Sequence, residues 1–191
     1  MENITELYDS HLITDILNKA FMTVALQFNF TKENVERFPA FMESAVIDNQ
    51  LKNGLKIYGY SIDKKIVGCA GYSFYKDKIY MIERLGTLPE YRHKGIGKKL
   101  MAFIENKIRE NSGEIAEIHV IDINEILVKW YKNMNYKQIR IDKLYDGERK
   151  LPFNSCVMNK ELNNIIVDKN TKIGLNNFTV ELHDHQMEKK T

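Results

Sequence analysis

The stretch PEYRHKGIGKKLMAFIENKI, residues 89–108, sets two glycines and a run of basic side chains against the start of an amphipathic helix. A helix begins with backbone N–H groups that have no partner inside it, and its dipole adds roughly half a positive charge at that end. An anion placed there is favoured, and Gly95 and Gly97, lacking a Cβ, would let a phosphate oxygen approach the backbone closely. Arg92, His93, Lys94, Lys98 and Lys99 would add charge at its rim. The plainer alternative is a turn whose glycines relieve strain beside a solvated basic helix end. Residue identity excludes two phosphate motifs. A Walker loop needs glycine at 92 and Ser or Thr at 99, where the chain has Arg92 and Lys99, and a dinucleotide fingerprint needs glycine or alanine at 100, where it has Leu100.

The elements that must position this loop follow from periodicity. Residues 3–7 suit a short strand, and the stretch from Ser10 to Phe28 spaces Ile13, Ile16, Leu17, Ala20 and Val24 as an amphipathic helix. From Thr31 to Asn53 the pattern is helical but broken by Pro39, which predicts two helical pieces closed at Gly54. The runs LKIYGYSID, KIVGCAGYSFY and KIYMIERLGT, joined by DKK and KDK, predict an antiparallel meander. The helix of the opening stretch, with Ile96, Leu100, Phe103, Ile104 and Ile108 on one face, is expected to end at a carboxy-terminal glycine, Gly113. IAEIHVID reads as a strand, followed by a short helix capped by Asp122 or Asn124 and striped by Ile126, Leu127, Trp130, Tyr131 and Met134. YKQIRIDKL and FNSCVMN read as two more strands with YDGERKLP as a polar loop between them. This order predicts one α+β or mixed α/β domain over residues 1–162. A polar extension, 163–191, follows, in which IIVDKNTKIGLNNFTVEL would make at most a weak hairpin.

Composition narrows the partners. At 191 residues with 43% apolar and 28% charged residues the chain suits one globular core. A net charge of +2 is too small to attract nucleic acid or an anionic membrane in bulk, so any bound anion must be held locally. Neither a membrane span nor a basic-then-apolar leader is visible, and the two cysteines, Cys69 and Cys156, sit in apolar strands, so a reducing cytoplasm is the expected location.

Arginine, two residues, glycine, one residue, glycine at a strand-to-helix turn resembles the pyrophosphate-binding motif of the GNAT superfamily of N-acetyltransferases, and LGTLPEYRHKGIGKKLM matches it through the preceding proline, glutamate and tyrosine. A second block, NEILVKWYKNMNY, resembles the family's asparagine, helix, tyrosine pattern, with Asn124 and Tyr131 seven residues apart. The resemblance covers residues 3–162. Asn135 replaces the glycine common before the final aromatic, and asparagine tolerates the left-handed backbone expected there. The resemblance implies a central mixed, mostly antiparallel sheet flanked by helices, in which the strand ending near Thr87 and IAEIHVID splay to admit the thioester arm of acetyl-coenzyme A. Backbone N–H groups of Arg92, His93, Lys94, Gly95, Ile96 and Gly97, with Lys98 beside them, would then hold the pyrophosphate. Leu85, Gly86 and Thr87 would pair with the pantetheine, and Asn124 would contact the cofactor arm.

Acetyl transfer to an amine meets two proton problems. An alkylammonium is only about one part in a thousand neutral at pH 7, a handicap of roughly 4 kcal/mol, so a base or a water relay helps. Glu83, on the strand before the loop, is the candidate, with alternation expected to put Glu83, Leu85 and Thr87 on one side; the alternative is an exposed strand carboxylate, or one paired with a basic neighbour. Tyr131 matches the family's usual acid for the leaving thiolate; otherwise it is a core aromatic.

Other residues carry less. Cys69 and Cys156 read as small core residues, His183-Asp184-His185 as a polar-tail segment rather than a metal site, and the Asn3, Asn29 and Asn177 triplets as irrelevant without secretion. Tyr58, Tyr60, Tyr72, Tyr80 and Trp130 would line an acceptor pocket or fill the sheet core. The expected function is transfer of the acetyl group of acetyl-CoA to a primary amine of a small molecule or protein by direct attack in a ternary complex, without metal, in a monomer or homodimer. A noncatalytic acyl-CoA-binding or regulatory module is the alternative. Specificity would come from the first two helices and the segment around YDGERKLPF, whose residues name no acceptor.

Overall fold

The computed structural model describes residues 2–162. Seven strands and four helices alternate as β1 (Glu2–Leu7), α1 (Ser10–Gln27), α2 (Ser44–Lys52), β2 (Lys56–Ile62), β3 (Lys65–Lys76), β4 (Ile79–Thr87), α3 (Ile96–Glu110), β5 (Ile115–Ile121), α4 (Glu125–Lys132), β6 (Lys137–Asp146) and β7 (Arg149–Glu161). They form one mixed sheet in the order β1-β2-β3-β4-β5-β7-β6, antiparallel throughout except between β4 and β5. The expected meander β2-β3-β4 is present.

The two faces of the sheet are covered by different helices because alternate strand residues point to opposite sides. Ile96, Leu100, Ile104 and Ile108 of α3 pack with Tyr58, Tyr72, Ile82, Ile118 and Met158 on one face, with Tyr131 of α4 in the same cluster. On the other, Ile13, Ile16 and Leu17 of α1 and Ile47 of α2 pack with Ile57 and Cys69. Asp9 starts α1, its carboxylate accepting the Leu12 N–H at 3.0 Å.

Four local expectations are corrected. Between Thr31 and Glu43 the chain is turns and one short 3-10 turn at Pro39–Phe41, so only the second helical piece forms. Phe30, Val35 and Phe38 instead fill a cluster with Phe153 of β7, a burial that outweighs weak helix propensity. The predicted loop YDGERKLP is mostly strand: β6 and β7 pair as far as Asp146 with Arg149 around Gly147 at φ 60°, and Pro152 sits where the register slips. At the end of α3 the left-handed residue is Ser112, φ 61°. Gly113 is there for space, since a Cβ would lie 2.3 Å from Ile108 Cγ2 and 2.7 Å from the Tyr80 ring. Fourth, strand alternation fails in β4. Cys69 pairs with Gly86 while Gly71 pairs with Glu83, and the extra residue is accommodated at Arg84, φ 56°, a β-bulge. Asn135 is left-handed as expected, φ 67°.

Candidate active site

Pairing between β4 and β5 lasts only from Ile79–Ile115 to Met81–Glu117. β4 then continues to Thr87 along β3, and β5 continues to Ile121 along β7, so the two parallel strands separate. The expected splay is therefore present, and beyond Met81 one edge of β4 faces the gap. Backbone of Leu85, Gly86 and Thr87 lies on this stretch. Gly86 also lets α1 approach, since a Cβ would stand 3.1 Å from Ala20 Cβ.

The glycine loop lies at the end of β4. After the 3-10 turn Pro89–Tyr91, His93 and Gly95 both adopt positive φ, 61° and 77°, and Gly95 caps α3. Among the described residues, no backbone acceptor takes the N–H groups of His93, Lys94, Gly95, Ile96, Gly97 and Lys98, the set of donors an anion needs. The Arg92 N–H is already given to Pro89 O at 3.2 Å. Its guanidinium also turns inward, donating to Thr87 O at 3.3 Å, Thr23 Oγ1 at 2.9 Å and Ala20 O at 2.5 Å, and burial lowers its pKa. Arg92 is thus a clamp between α1 and the loop, not rim charge.

The glycines also differ. A Cβ on Gly95 would meet open space, whereas one on Gly97 would stand 3.4 Å from the Trp130 indole. The Gly97 Cα side is a seat for α4, which leaves its N–H as the group it offers to the loop. Ile96 is 3% exposed and likewise offers only backbone. Lys94 Nζ lies 5.0 Å from the Tyr91 ring centroid, Lys99 Nζ donates to Tyr60 Oη at 2.9 Å, and exposed Lys98 borders a cavity of about 280 Å³ with Met101, Ala102, Met134 and Lys160.

Glu83 stands two residues beyond the last β4–β5 pair. Tyr80 and Ile82 point to the α3 face, which directs Glu83 to the α1/α2 face, where its Oε1 accepts the Ser73 hydroxyl at 2.6 Å. Arg84 follows on that side, bonded to Gln50 of α2 at 3.0 Å, and Leu85 returns to the α3 face. Glu83 and Leu85 are therefore on opposite sides. Tyr131 is 7% exposed on the α3/α4 side, edge-on to Trp130 and Tyr136. Burial pushes its phenol well above its ordinary pKa, so it stays protonated across the physiological range. Asn124 is the cap of α4, its Oδ1 accepting the Leu127 N–H at 3.1 Å, which leaves its amide NH₂ for another partner. Asp122 is not the cap; it binds the backbone and side chain of Asn154 across β5 and β7.

Sequence reasoning missed Ser73, which lies across the meander from β4 and carries no local signal. Cys69 and Cys156 are buried free thiols, and burial pushes Cys69 up to about 12. No group of three His, Cys, Asp or Glu side chains that could hold a metal occurs among the described residues; His183-Asp184-His185 and the suggested hairpin lie outside them.

Known proteins resemble this chain in sequence or in fold. An uncharacterised N-acetyltransferase of Chlorobaculum tepidum is 33% identical over 75 residues, 39% of this chain and 45% of that protein, so the match spans less than half of that relative. A GNAT-family protein of Desulfovibrio desulfuricans superposes with a TM-score of 0.67 at 15% identity, covering 85% of this chain and 99% of the other. PaiA N-acetyltransferase of Thermoplasma acidophilum, solved with coenzyme A, superposes at 0.63 and 17% identity, covering 84% and 99%. A GNAT acetyltransferase of Elizabethkingia anophelis with acetyl-CoA bound does so at 0.60 and 14%, covering 84% and 97%. These likenesses show the fold. The model of the acetyltransferase (GNAT) family itself matches residues 14–136, from α1 through the splayed strands to the end of the Asn124–Tyr131 block, and the chain belongs to that family.

Proposed function

We propose that the protein is an acetyl-CoA-dependent N-acetyltransferase acting on a primary amine, of a small molecule or a protein, by direct attack in a ternary complex. One observation supports the reading: β4 and β5 part beyond Met81, the backbone N–H groups of the loop that follows β4 have no backbone acceptor among the described residues, and Glu83 and Tyr131 lie on opposite faces of the sheet. An amine and a thiolate can therefore be served from opposite sides. The relatives' names, an N-acetyltransferase and proteins with coenzyme A or acetyl-CoA bound, support it.

In this reading the N–H groups of His93–Gly97 hold the pyrophosphate, β4 backbone at Leu85–Thr87 pairs with the pantetheine, and the Asn124 amide meets the cofactor arm. Glu83, directly or through water, takes one proton from the acceptor ammonium. The nitrogen then attacks the thioester carbonyl, the C–N bond forms, the C–S bond breaks, and the sulfur receives a proton from Tyr131. The nitrogen's second proton restores the tyrosine, so one proton is released per acetyl group moved. The site uses no metal, the protein works in the cytoplasm as a monomer or homodimer, and residues 163–191 lie outside the catalytic unit.

The test is release of coenzyme A thiol from acetyl-CoA in the presence of spermidine, tyramine, 2-phenylethylamine or alanine amide, with melting followed in parallel. Thiol release that depends on the amine is expected. Stabilisation by acetyl-CoA without turnover would leave a binding module instead, and neither effect would remove the function altogether.

A further inference from the structure

The α1/α2 face of the sheet carries a second polar group beside the gap. Met81 and Glu117 are level neighbours on the parallel strands β4 and β5; two residues further along, on the same face, stand Glu83 and His119, where pairing has stopped. They occupy matching positions on the two sides of the gap. Glu117 is a 2% exposed carboxylate, and its Oε1 lies 2.9 Å from His119 Nε2. Glu117 is held in turn by Arg140 of β6, with NH2 at 3.6 Å, and by the Asn159 amide of β7, 3.1 Å from Oε2. Arg140 is anchored by Asp142 at 2.9 Å. The imidazole itself keeps 37% of its surface exposed.

A histidine whose Nε2–H is given to a carboxylate presents Nδ1 as a hydrogen-bond acceptor. A buried carboxylate with three neighbours is more framework than one strand crossing needs; it fixes the His119 ring by its Nε2 edge, while the side chain stays partly exposed at the β5 position level with Glu83. Resting on the reading of acetyl transfer, we propose that His119, oriented by Glu117, is an acceptor-binding residue: its Nδ1 accepts an N–H of the incoming amine opposite Glu83. The reaction requires such a group. Once the ammonium has given its proton to Glu83, both are neutral and their attraction is lost, whereas a hydrogen bond to a neutral imidazole persists through proton loss and attack. His119 thus keeps the nitrogen at the gap in both charge states, and Glu117 is the positioning residue behind it.

Two substitutions and one spectrum test this. In the acetyl-CoA-saturated protein, the ¹⁵N signals of the His119 ring, assigned by their loss in His119→Asn, should show the Nε2–H tautomer near neutral pH; an Nδ1–H ring overturns the proposal. With whichever amine of the panel is acetylated, His119→Leu should raise the amine KM about tenfold or more and leave the acetyl-CoA KM within about twofold. His119→Asn, whose side-chain oxygen stands near the place of Nδ1, should recover most of that loss. An unchanged amine KM in His119→Leu, or equal loss toward both substrates, overturns the role. If the wild type releases no thiol with any amine, acetyl transfer to amines is refuted, while the tautomer still decides the His119 geometry on its own.

Discussion

At the scale of single residues, the proposed site divides into groups that would act through side chains and groups that would act through backbone. Tyr131 belongs to the first. Since burial holds its pKa above the ordinary tyrosine value, it is neutral at every pH an assay would use and should contribute no alkaline limb to the pH profile. Tyr131→Phe removes only the hydroxyl, so turnover should fall about ten- to a thousandfold with cofactor-induced stabilisation nearly intact; equal loss of both would make Tyr131 structural. Gly97 belongs to the second group. Because its Cβ direction faces Trp130, a large side chain there should displace α4 and lower stability as well as cofactor binding, whereas Gly95, facing open space at φ 77°, should be sensitive through backbone strain alone. Comparing the melting temperatures of Gly97→Leu and Gly95→Ala with and without acetyl-CoA separates the two causes.

At the scale of elements, the junctions are held by contacts remote in sequence. Gly113 lets α3 turn back to β5 against Ile108 and Tyr80, so Gly113→Ala should cost about 1–3 kcal/mol by overpacking, read as a lower denaturation midpoint. Asp122 ties the end of β5 to β7. Burial alone would raise its pKa, but the hydrogen bonds from Asn154 outweigh that and hold it below the usual aspartate value. A carboxyl with a depressed folded-state pKa contributes stability above its unfolded pKa, near 3.9, and loses it as pH falls through the folded value. Asp122→Asn should therefore destabilise the protein at pH 7, and the difference from wild type should shrink below about pH 4. Urea melts of both proteins at neutral and acidic pH check the sign.

At the scale of the whole molecule, a ligand that binds only the folded state at about a hundred times its dissociation constant adds roughly 2.7 kcal/mol. For a chain of this length that should raise the melting temperature by about 5–10 °C with acetyl-CoA. A chain ending at Leu162 should show the same shift, because Leu162 is buried and its N–H closes the sheet on Glu114 O at 2.7 Å. Loss of the shift on truncation would place residues 163–191 within the functional unit.

What the sequence by itself determined is whatever depends on neighbours a few residues away. The meander, the apolar stripe of α3, the left-handed Asn135 and the donor-rich loop at Gly95 were legible because period, turn chemistry and helix ends are local properties. The two motif blocks identified the family, and with it the splay. Only the tertiary structure decided where side chains point once distant segments meet. The bulge at Arg84 reversed the expected alignment of Glu83 with Leu85, because register depends on the partner strand and one extra residue flips every side chain after it. Arg92 reads as loop charge until α1 supplies Ala20 O and Thr23, about seventy residues earlier, as better partners than water. Val35 and Phe38 left the helical pattern because Phe30 and Phe153, the latter contributed by β7, complete their cluster. His119 and Glu117 are two residues of an alternating strand until β4 is laid beside them, and no local pattern encodes which strand lies alongside or where the two part.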